Sequence, residues 1–140
     1  MEKKLILVSH GKLSEGMAYS VQMICGQNPD LSFYGMMPGE HYTEIVETIR
    51  RLATENPDTQ YIIIADFLGG SVCNGCTELI VLPNVKLVSG MNLGLVVDFL
   101  FEPAPISDET IEKKIEVSRG QILNVTPAYL KQKDGDDSFF

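Results

Sequence analysis

The sequence has no apolar run long enough to cross a membrane. Its N-terminal apolar stretch is only Leu5–Val8, whereas a secretory signal needs about 7–15 apolar residues and a membrane span about 20. Tryptophan is absent, and the three cysteines (Cys25, Cys73 and Cys76) are an odd number that forms no disulfide framework. These shortages predict a cytoplasmic protein with reduced thiols and no membrane-spanning segment.

Positive charge is also scarce. The chain has 11 Lys and Arg residues against 19 Asp and Glu residues, a net charge of −8, and no cluster of basic residues. A basic patch is the electrostatic footprint of a nucleic-acid-binding protein, so no nucleic-acid partner is expected. With 140 residues, 44% hydrophobic and 21% charged, the chain is expected to bury a sizeable core as one soluble globular domain.

Short apolar runs alternate with helical periodicity along the chain. The four runs predicted as buried strands are Leu5–Val8, Leu31–Met37, Tyr61–Ala65 and Val85–Val88. The stretches that follow them space apolar residues as helices do, with Ser14, Ser71 and Ser107 as candidate N-caps. This alternation predicts a three-layer α/β/α fold with helices on both faces of a mostly parallel four-stranded sheet.

The regular alternation ends near Val125. We therefore expect one domain over residues 1–125 and a C-terminal extension over residues 126–140 that is partly disordered. No linker or internal repeat indicates a second domain.

The sharpest candidate for chemistry is His10, which follows the first predicted strand. Functional sites of open α/β sheets lie outside the carboxyl ends of the strands. A neutral imidazole is a good nucleophile near physiological pH. If strands one and three are neighbours, Asp66 at the end of strand three can fix the ring tautomer and leave the other nitrogen free to attack. The simpler alternative is that His10 only ends a strand.

A glycine-rich turn, Gly69, Gly70 and Ser71, follows Asp66 and opens a predicted helix. Glycines permit tight turns, and free N–H groups at such a turn can bind phosphoryl oxygens, with the Ser71 hydroxyl as a further donor. The spacing matches neither GxGxxG nor a Walker A loop, so no nucleotide, metal or other cofactor is expected. A plain strand-to-helix turn with a serine cap would explain the same residues.

Cys73 and Cys76 form a C-x-x-C motif at the start of the same helix. A thiol at a helix start can have a lowered pKa, so a redox function is one interpretation. No other cysteine pair completes a four-ligand zinc site. The favoured interpretation is that both cysteines are buried apolar residues of the helix.

Four segments in order resemble the enzyme IIA domain of the mannose-type (mannose/fructose/sorbose) sugar phosphotransferase system (PTS). These are LILVSHG at residues 5–11, PGE at 38–40, IIIADFLGGS at 62–71 and VSGMNLGLVVDFL at 88–100. The resemblance extends over nearly the whole chain up to about Val125. One departure is Ser71-Val72-Cys73-Asn74, where the family often has Ser-Pro-Phe-Asn.

The resemblance implies a protein-histidine phosphotransferase that needs no cofactor. His10 would accept phosphate from the phosphocarrier HPr and donate it to a separate IIB protein, upstream of the membrane components IIC and IID. Asp66 would orient the ring, and Ser71 would lie near the phosphoryl group. The family usually forms homodimers by exchanging a C-terminal edge strand, so a fifth strand at the sheet edge is also implied.

Three other functions fit parts of the sequence. A receiver domain shares the sheet and an Asp after strand three, but it needs an acidic pair where this chain has Ser9-His10. A related histidine carrier that serves dihydroxyacetone kinase, and a regulatory or binding module without catalysis, stay open. Phosphate acceptance by His10 separates the carriers from the module.

Overall fold

The computed structural model describes residues 1–133. Its strands are β1 Glu2–His10, β2 Leu31–Met36, β3 Thr59–Ala65 and β4 Val85–Ser89. Its helices are α1 Leu13–Cys25, α2 Thr43–Glu55, α3 Ser71–Cys76, α4 Leu93–Phe101, α5 Asp108–Arg119 and α6 Val125–Lys133, with a 3₁₀ helix at Thr77–Val81 directly after α3. The expected disorder of the tail falls mostly on residues 134–140, which lie outside the described residues.

The four strands form one parallel sheet in the order β2-β1-β3-β4. Along β1, Leu5 and Leu7 point to one face and Ile6 and Val8 to the other. Helices α1, α4 and α5 cover the first face, and α2 and α3 cover the second. Burial on both faces explains why the two central strands, β1 and β3, carry continuous apolar runs. The expected three-layer α/β/α fold with a four-stranded parallel sheet is confirmed.

The expected C-terminal edge strand does not occur within residues 1–133. Val125–Lys133 forms α6 instead, and the outer edge of β4 pairs with no strand of the described part of the chain. Pro127 lacks the N–H that a strand ladder needs but is tolerated in the first turn of a helix. Leu130 and Lys131 are good helix formers, so the local sequence favours the helix.

The junction of β1 and α1 differs from the predicted one. Lys12 rather than Ser14 precedes the helix, and the N–H of Ser14 donates to the Ser9 hydroxyl oxygen at 2.8 Å. The Ser14 hydroxyl donates to the carbonyl of Tyr34 in β2. Two buried serines thus tie the end of β1 to the first turn of α1. This link fixes the backbone on both sides of His10.

Two other predicted caps have different outcomes. Ser107 precedes α5, and its hydroxyl accepts the N–H of Thr110, as expected. Ser71 is the first residue of α3, and Gly70 takes the cap position. The Ser71 hydroxyl is therefore not committed to capping its own helix, which leaves it available to the neighbouring strand end.

Candidate functional site

His10 and Asp66 lie side by side at the carboxyl end of the sheet. Because β1 and β3 are neighbouring parallel strands with Val8 opposite Ala65, the residues that end β1 and follow β3 meet at the same edge of the sheet. One oxygen of Asp66, Oδ2, lies 2.7 Å from Nδ1 of His10 and accepts the backbone N–H of His10 at 2.8 Å. The Asp66 side chain is 4% exposed and the His10 side chain 40%. The carboxylate is thus buried behind a ring that faces the surface.

Hydrogen bonds keep Asp66 ionised in spite of its burial. Burial raises the pKa of this carboxyl, but the two bonds from His10 and the N–H of Phe67, which donates to Oδ1 at 2.9 Å, outweigh that effect. The net result is a pKa below the ordinary aspartate value. An ionised Asp66 accepts a proton-bearing Nδ1, so the lone pair of a neutral His10 ring is on Nε2.

The outward ring nitrogen meets the glycine-rich turn. Nε2 of His10 lies 3.2 Å from the hydroxyl oxygen of Ser71. Gly69 has a φ of +86°, which L side chains rarely adopt, so the turn needs glycine there. A β-carbon on Gly70 would lie 2.9 Å from the Phe67 ring and 3.1 Å from Cε1 of His10. The structure therefore brings all five sequence-predicted site residues together.

The site opens onto an apolar surface. The rings of His10 and Phe67 are 5.5 Å apart, and Phe67 and Leu68 are 56% and 79% exposed. A groove of about 580 Å³ lies between α1 and Leu93 rather than at His10. The histidine thus faces outward beside exposed apolar side chains, where a macromolecule can reach it.

The comparison with known families identifies the family to which the chain belongs. The family model described as "PTS system fructose IIA component" (EIIA-man) matches residues 4–116. The chain belongs to this family of PTS IIA components. It is therefore a mannose-family component of the sugar phosphotransferase system, a family whose work is phosphotransfer in sugar uptake.

Individual relatives of this IIA component are distant in sequence. It is 25% identical over 117 residues to the sorbose-specific EIIA component of Klebsiella pneumoniae, with 83% of this chain and 86% of that protein covered. It is 22% identical over 119 residues to the mannose-specific EIIAB component of Escherichia coli K12, with 82% of this chain and 37% of that longer protein covered.

Solved structures agree with the fold of this IIA component. The mannose/sorbose-specific IIA subunit from Enterococcus faecalis superposes with a TM-score of 0.77 at 25% identity, covering 89% of this chain and 95% of that one. A PTS IIA protein associated with a fucose utilization operon in Streptococcus pneumoniae gives 0.79 at 22% identity, covering 92% and 97%, which supports the fold alone.

The cysteine pair of this IIA component is structural. Cys73 and Cys76 are 3% and 0% exposed in the core beneath α2. Burial raises the pKa of both thiols, that of Cys76 to about 12, so neither thiol ionises readily to a thiolate.

Within residues 1–133 no cluster of three His, Cys, Asp or Glu residues could hold a metal, and no helix is long and apolar enough to span a bilayer.

One contact that supports the site was not predicted from the sequence: the close approach between the backbones of Gly35 and Gly11. A β-carbon on Gly35 of β2 would lie 2.1 Å from the carbonyl oxygen of Gly11, directly after His10. The N–H of Gly11 also donates to the carbonyl of Met36 at 2.8 Å. A glycine inside a strand pattern can signal such an approach, so Gly35 was a usable signal.

Proposed function

We propose that this IIA component accepts a phosphoryl group from phospho-HPr on Nε2 of His10 and donates it to a separate IIB protein. One observation carries the proposal: Asp66 occupies Nδ1, while Nε2 faces Ser71 at the surface. A histidine held in this way has one nitrogen engaged and one lone pair available, which nucleophilic phosphoryl acceptance requires. The chain then acts as a protein-histidine phosphotransferase.

The proposed transfer needs no proton to leave the site. The lone pair on Nε2 attacks phosphorus in line, the P–N bond to the donor histidine breaks, and its electron pair returns to the donor ring. The proton on Nδ1 stays, and the positive charge that develops on the His10 ring lies against ionised Asp66. The Ser71 hydroxyl and the backbone N–H of Gly69 donate to the phosphoryl oxygens.

The proposed partners are proteins rather than small molecules. Phe67 and Leu68 expose apolar surface beside His10, and aromatic and aliphatic anchors of this kind are common at the centre of protein interfaces. HPr and IIB would use this surface in turn, because both must bring a phosphorylatable residue to the same ring. IIC and IID would act after IIB, away from this chain.

We also propose a homodimer. Several exposed apolar side chains lie in the segment after α5, among them Ile122 at 83%, Leu123 at 50% and Leu130 at 56%. The outer edge of β4 has no strand partner within residues 1–133. An open edge and an uncovered apolar segment both favour association with a second copy. Light scattering should give twice the chain mass, and a strict monomer at high concentration would contradict this.

The test is phosphorylation by phosphoenolpyruvate, enzyme I and HPr, followed by intact mass. The wild type should gain one acid-labile, alkali-stable phosphoryl group, and His10→Ala should gain none. His41 is the other histidine of the chain, so His41→Ala is a matched control that should behave as wild type. A folded wild type that stays unmodified would point to the binding module instead.

A second experiment, on the step in which the phosphoryl group is donated, distinguishes the sugar-uptake function from the carrier that serves dihydroxyacetone kinase. Phosphorylated protein is mixed with a cognate IIB protein or with a dihydroxyacetone kinase, and loss of the phosphoryl mass is followed. Transfer to IIB supports the sugar-uptake function. Transfer only to the kinase would replace it with the related carrier.

A further inference from the structure

The ring of Tyr42 packs directly against Gly75 of α3. A β-carbon built on Gly75 would lie 2.2 Å from Cδ2, 2.6 Å from Cε2 and 2.7 Å from Cγ of the tyrosine. Gly75 is buried, and Tyr42 packs against the same core cluster. Because Cγ is among the close atoms, the ring cannot clear a methyl group by moving its outer end alone.

The contact lies on the face of α3 that carries Ser71. Gly75 follows Ser71 by four residues, and residues four apart lie on the same face of a helix. Val72, Cys73 and Cys76 are buried in the core, so they hold the rest of the helix against the sheet. The helix is therefore confined between the core and the tyrosine ring, and Ser71 has little freedom relative to His10.

We propose that Gly75 is a positioning residue: the lack of a side chain at this position lets α3 pack against the Tyr42 ring, and this packing sets the place of Ser71 against Nε2 of His10 and, through it, the rate of phosphoryl transfer. This inference rests on the proposed function for its rate effect only. The geometric part, the spacing between the serine hydroxyl and the ring, is independent of whether the protein carries phosphate.

A methyl group at position 75 should displace the helix by more than the site tolerates. Two carbon atoms in ordinary contact are at least about 3.4 Å apart. The added β-carbon, at 2.2 Å from Cδ2 of Tyr42, must therefore move away from the ring by about 1 Å. The Ser71 hydroxyl is already 3.2 Å from Nε2, near the outer limit of a hydrogen bond. Misplacement by about 1 Å can slow an enzymatic step on the order of 10²-fold.

The experiment is a double-mutant cycle on Gly75→Ala, Tyr42→Ala and the combined variant. The first readout is the single-turnover rate of phosphate acceptance at saturating phospho-HPr. We expect Gly75→Ala to lower that rate by about 10- to 100-fold, with an unchanged half-saturating donor concentration. Removing the tyrosine ring makes room for the methyl group, so the combined variant should recover most of the rate.

A second readout does not depend on phosphate. Nitrogen NMR of the unphosphorylated His10 ring, assigned with His41→Ala, reports the hydrogen bonding of Nε2. Gly75→Ala should shift this resonance in the direction that Ser71→Ala shifts it, and the combined variant should return it toward wild type. Gly16→Ala is the matched control, because a β-carbon there meets nothing within 4 Å, and it should change neither rate nor resonance.

The outcomes distinguish this inference from the proposed function. If the wild type accepts no phosphate, the proposed function fails and the resonance alone decides the geometric inference. If Gly75→Ala slows transfer but the combined variant is no faster, the contact does not act as proposed. If Gly75→Ala is too unstable to assay, a stable combined variant with wild-type rate and resonance supports the contact, and one with an altered resonance overturns it.

Discussion

A single oxygen of Asp66 holds both the backbone and the ring of His10. Oδ2 accepts the main-chain N–H at 2.8 Å and contacts Nδ1 at 2.7 Å. The end of the strand and the orientation of the imidazole are therefore fixed by the same atom. Movement of the backbone at His10 would also disturb the tautomer that leaves Nε2 free.

Asp66→Asn should slow phosphate acceptance while the fold is kept. An amide has one oxygen and one NH₂ group, so it cannot accept at both positions where the carboxylate now receives N–H groups. Loss of tautomer control lowers rates on the order of 10²- to 10⁴-fold. Single-turnover transfer from phospho-HPr measures this, with circular dichroism as the check on folding. A normal rate would show that Asp66 does not orient the ring.

The same carboxylate should make the free energy of unfolding depend on pH in the acid range. Burial opposes ionisation, but hydrogen bonds from His10 and Phe67 prevail and lower the pKa of Asp66 below the ordinary aspartate value. A lowered folded-state pKa contributes stability above the unfolded pKa, and that contribution is lost as pH falls through the folded pKa. The difference in unfolding free energy between wild type and Asp66→Asn should therefore narrow from about pH 5 to about pH 3. Urea titrations measure it, and a difference that stays constant or widens would contradict this origin.

Leu68→Ser should weaken partner binding without changing the chemical step. Leu68 is 79% exposed and makes part of the apolar surface beside His10, so its removal should raise the half-saturating HPr concentration by about tenfold. The saturated rate should stay near wild type, because the Leu68 side chain has no group that can donate to or accept from the ring nitrogen or the phosphoryl oxygens. Val81→Ser is the matched control, since Val81 is 78% exposed on the 3₁₀ helix that leads to the amino end of β4. Equal effects of the two changes would argue against a docking role for Leu68.

Gly35→Ala should destabilise the protein at the strand end. The added carbon would lie 2.1 Å from the Gly11 carbonyl oxygen, a backbone atom that cannot move aside without shifting the turn after His10. Such overpacking costs about 1–3 kcal/mol of unfolding free energy. Gly16→Ala should instead add about 0.5–1 kcal/mol, because it replaces a helical glycine in open space. Denaturant titration compares the two, and equal stability of Gly35→Ala and wild type would overturn the argument.

Most of the fold could be predicted from local sequence. The run YIIIA lies in β3, the predicted strand Val85–Val88 lies in β4, and Ser107 caps α5 as predicted. Periodicity and capping act over a few residues, which is why they were readable. The prediction that Ser14 caps α1 was wrong, because the hydroxyl of a serine near a helix start can instead form a hydrogen bond with another segment, here β2. The edge strand came from a resemblance and not from the local residues, which favour a helix over Val125–Lys133, and it does not occur within residues 1–133.

By itself, the sequence determined that His10 and Asp66 lie at the carboxyl ends of strands one and three, because strand ends are marked by where apolar runs stop. Only the tertiary structure decided which ring nitrogen faces the carboxylate and which faces Ser71, residues 56 and 61 positions away from the histidine. The approaches of Tyr42 to Gly75 and of Gly11 to Gly35 belong to the same class. Such contacts depend on how segments that are far apart in the sequence pack against each other. The distances between their atoms can hardly be predicted from the local pattern of residues.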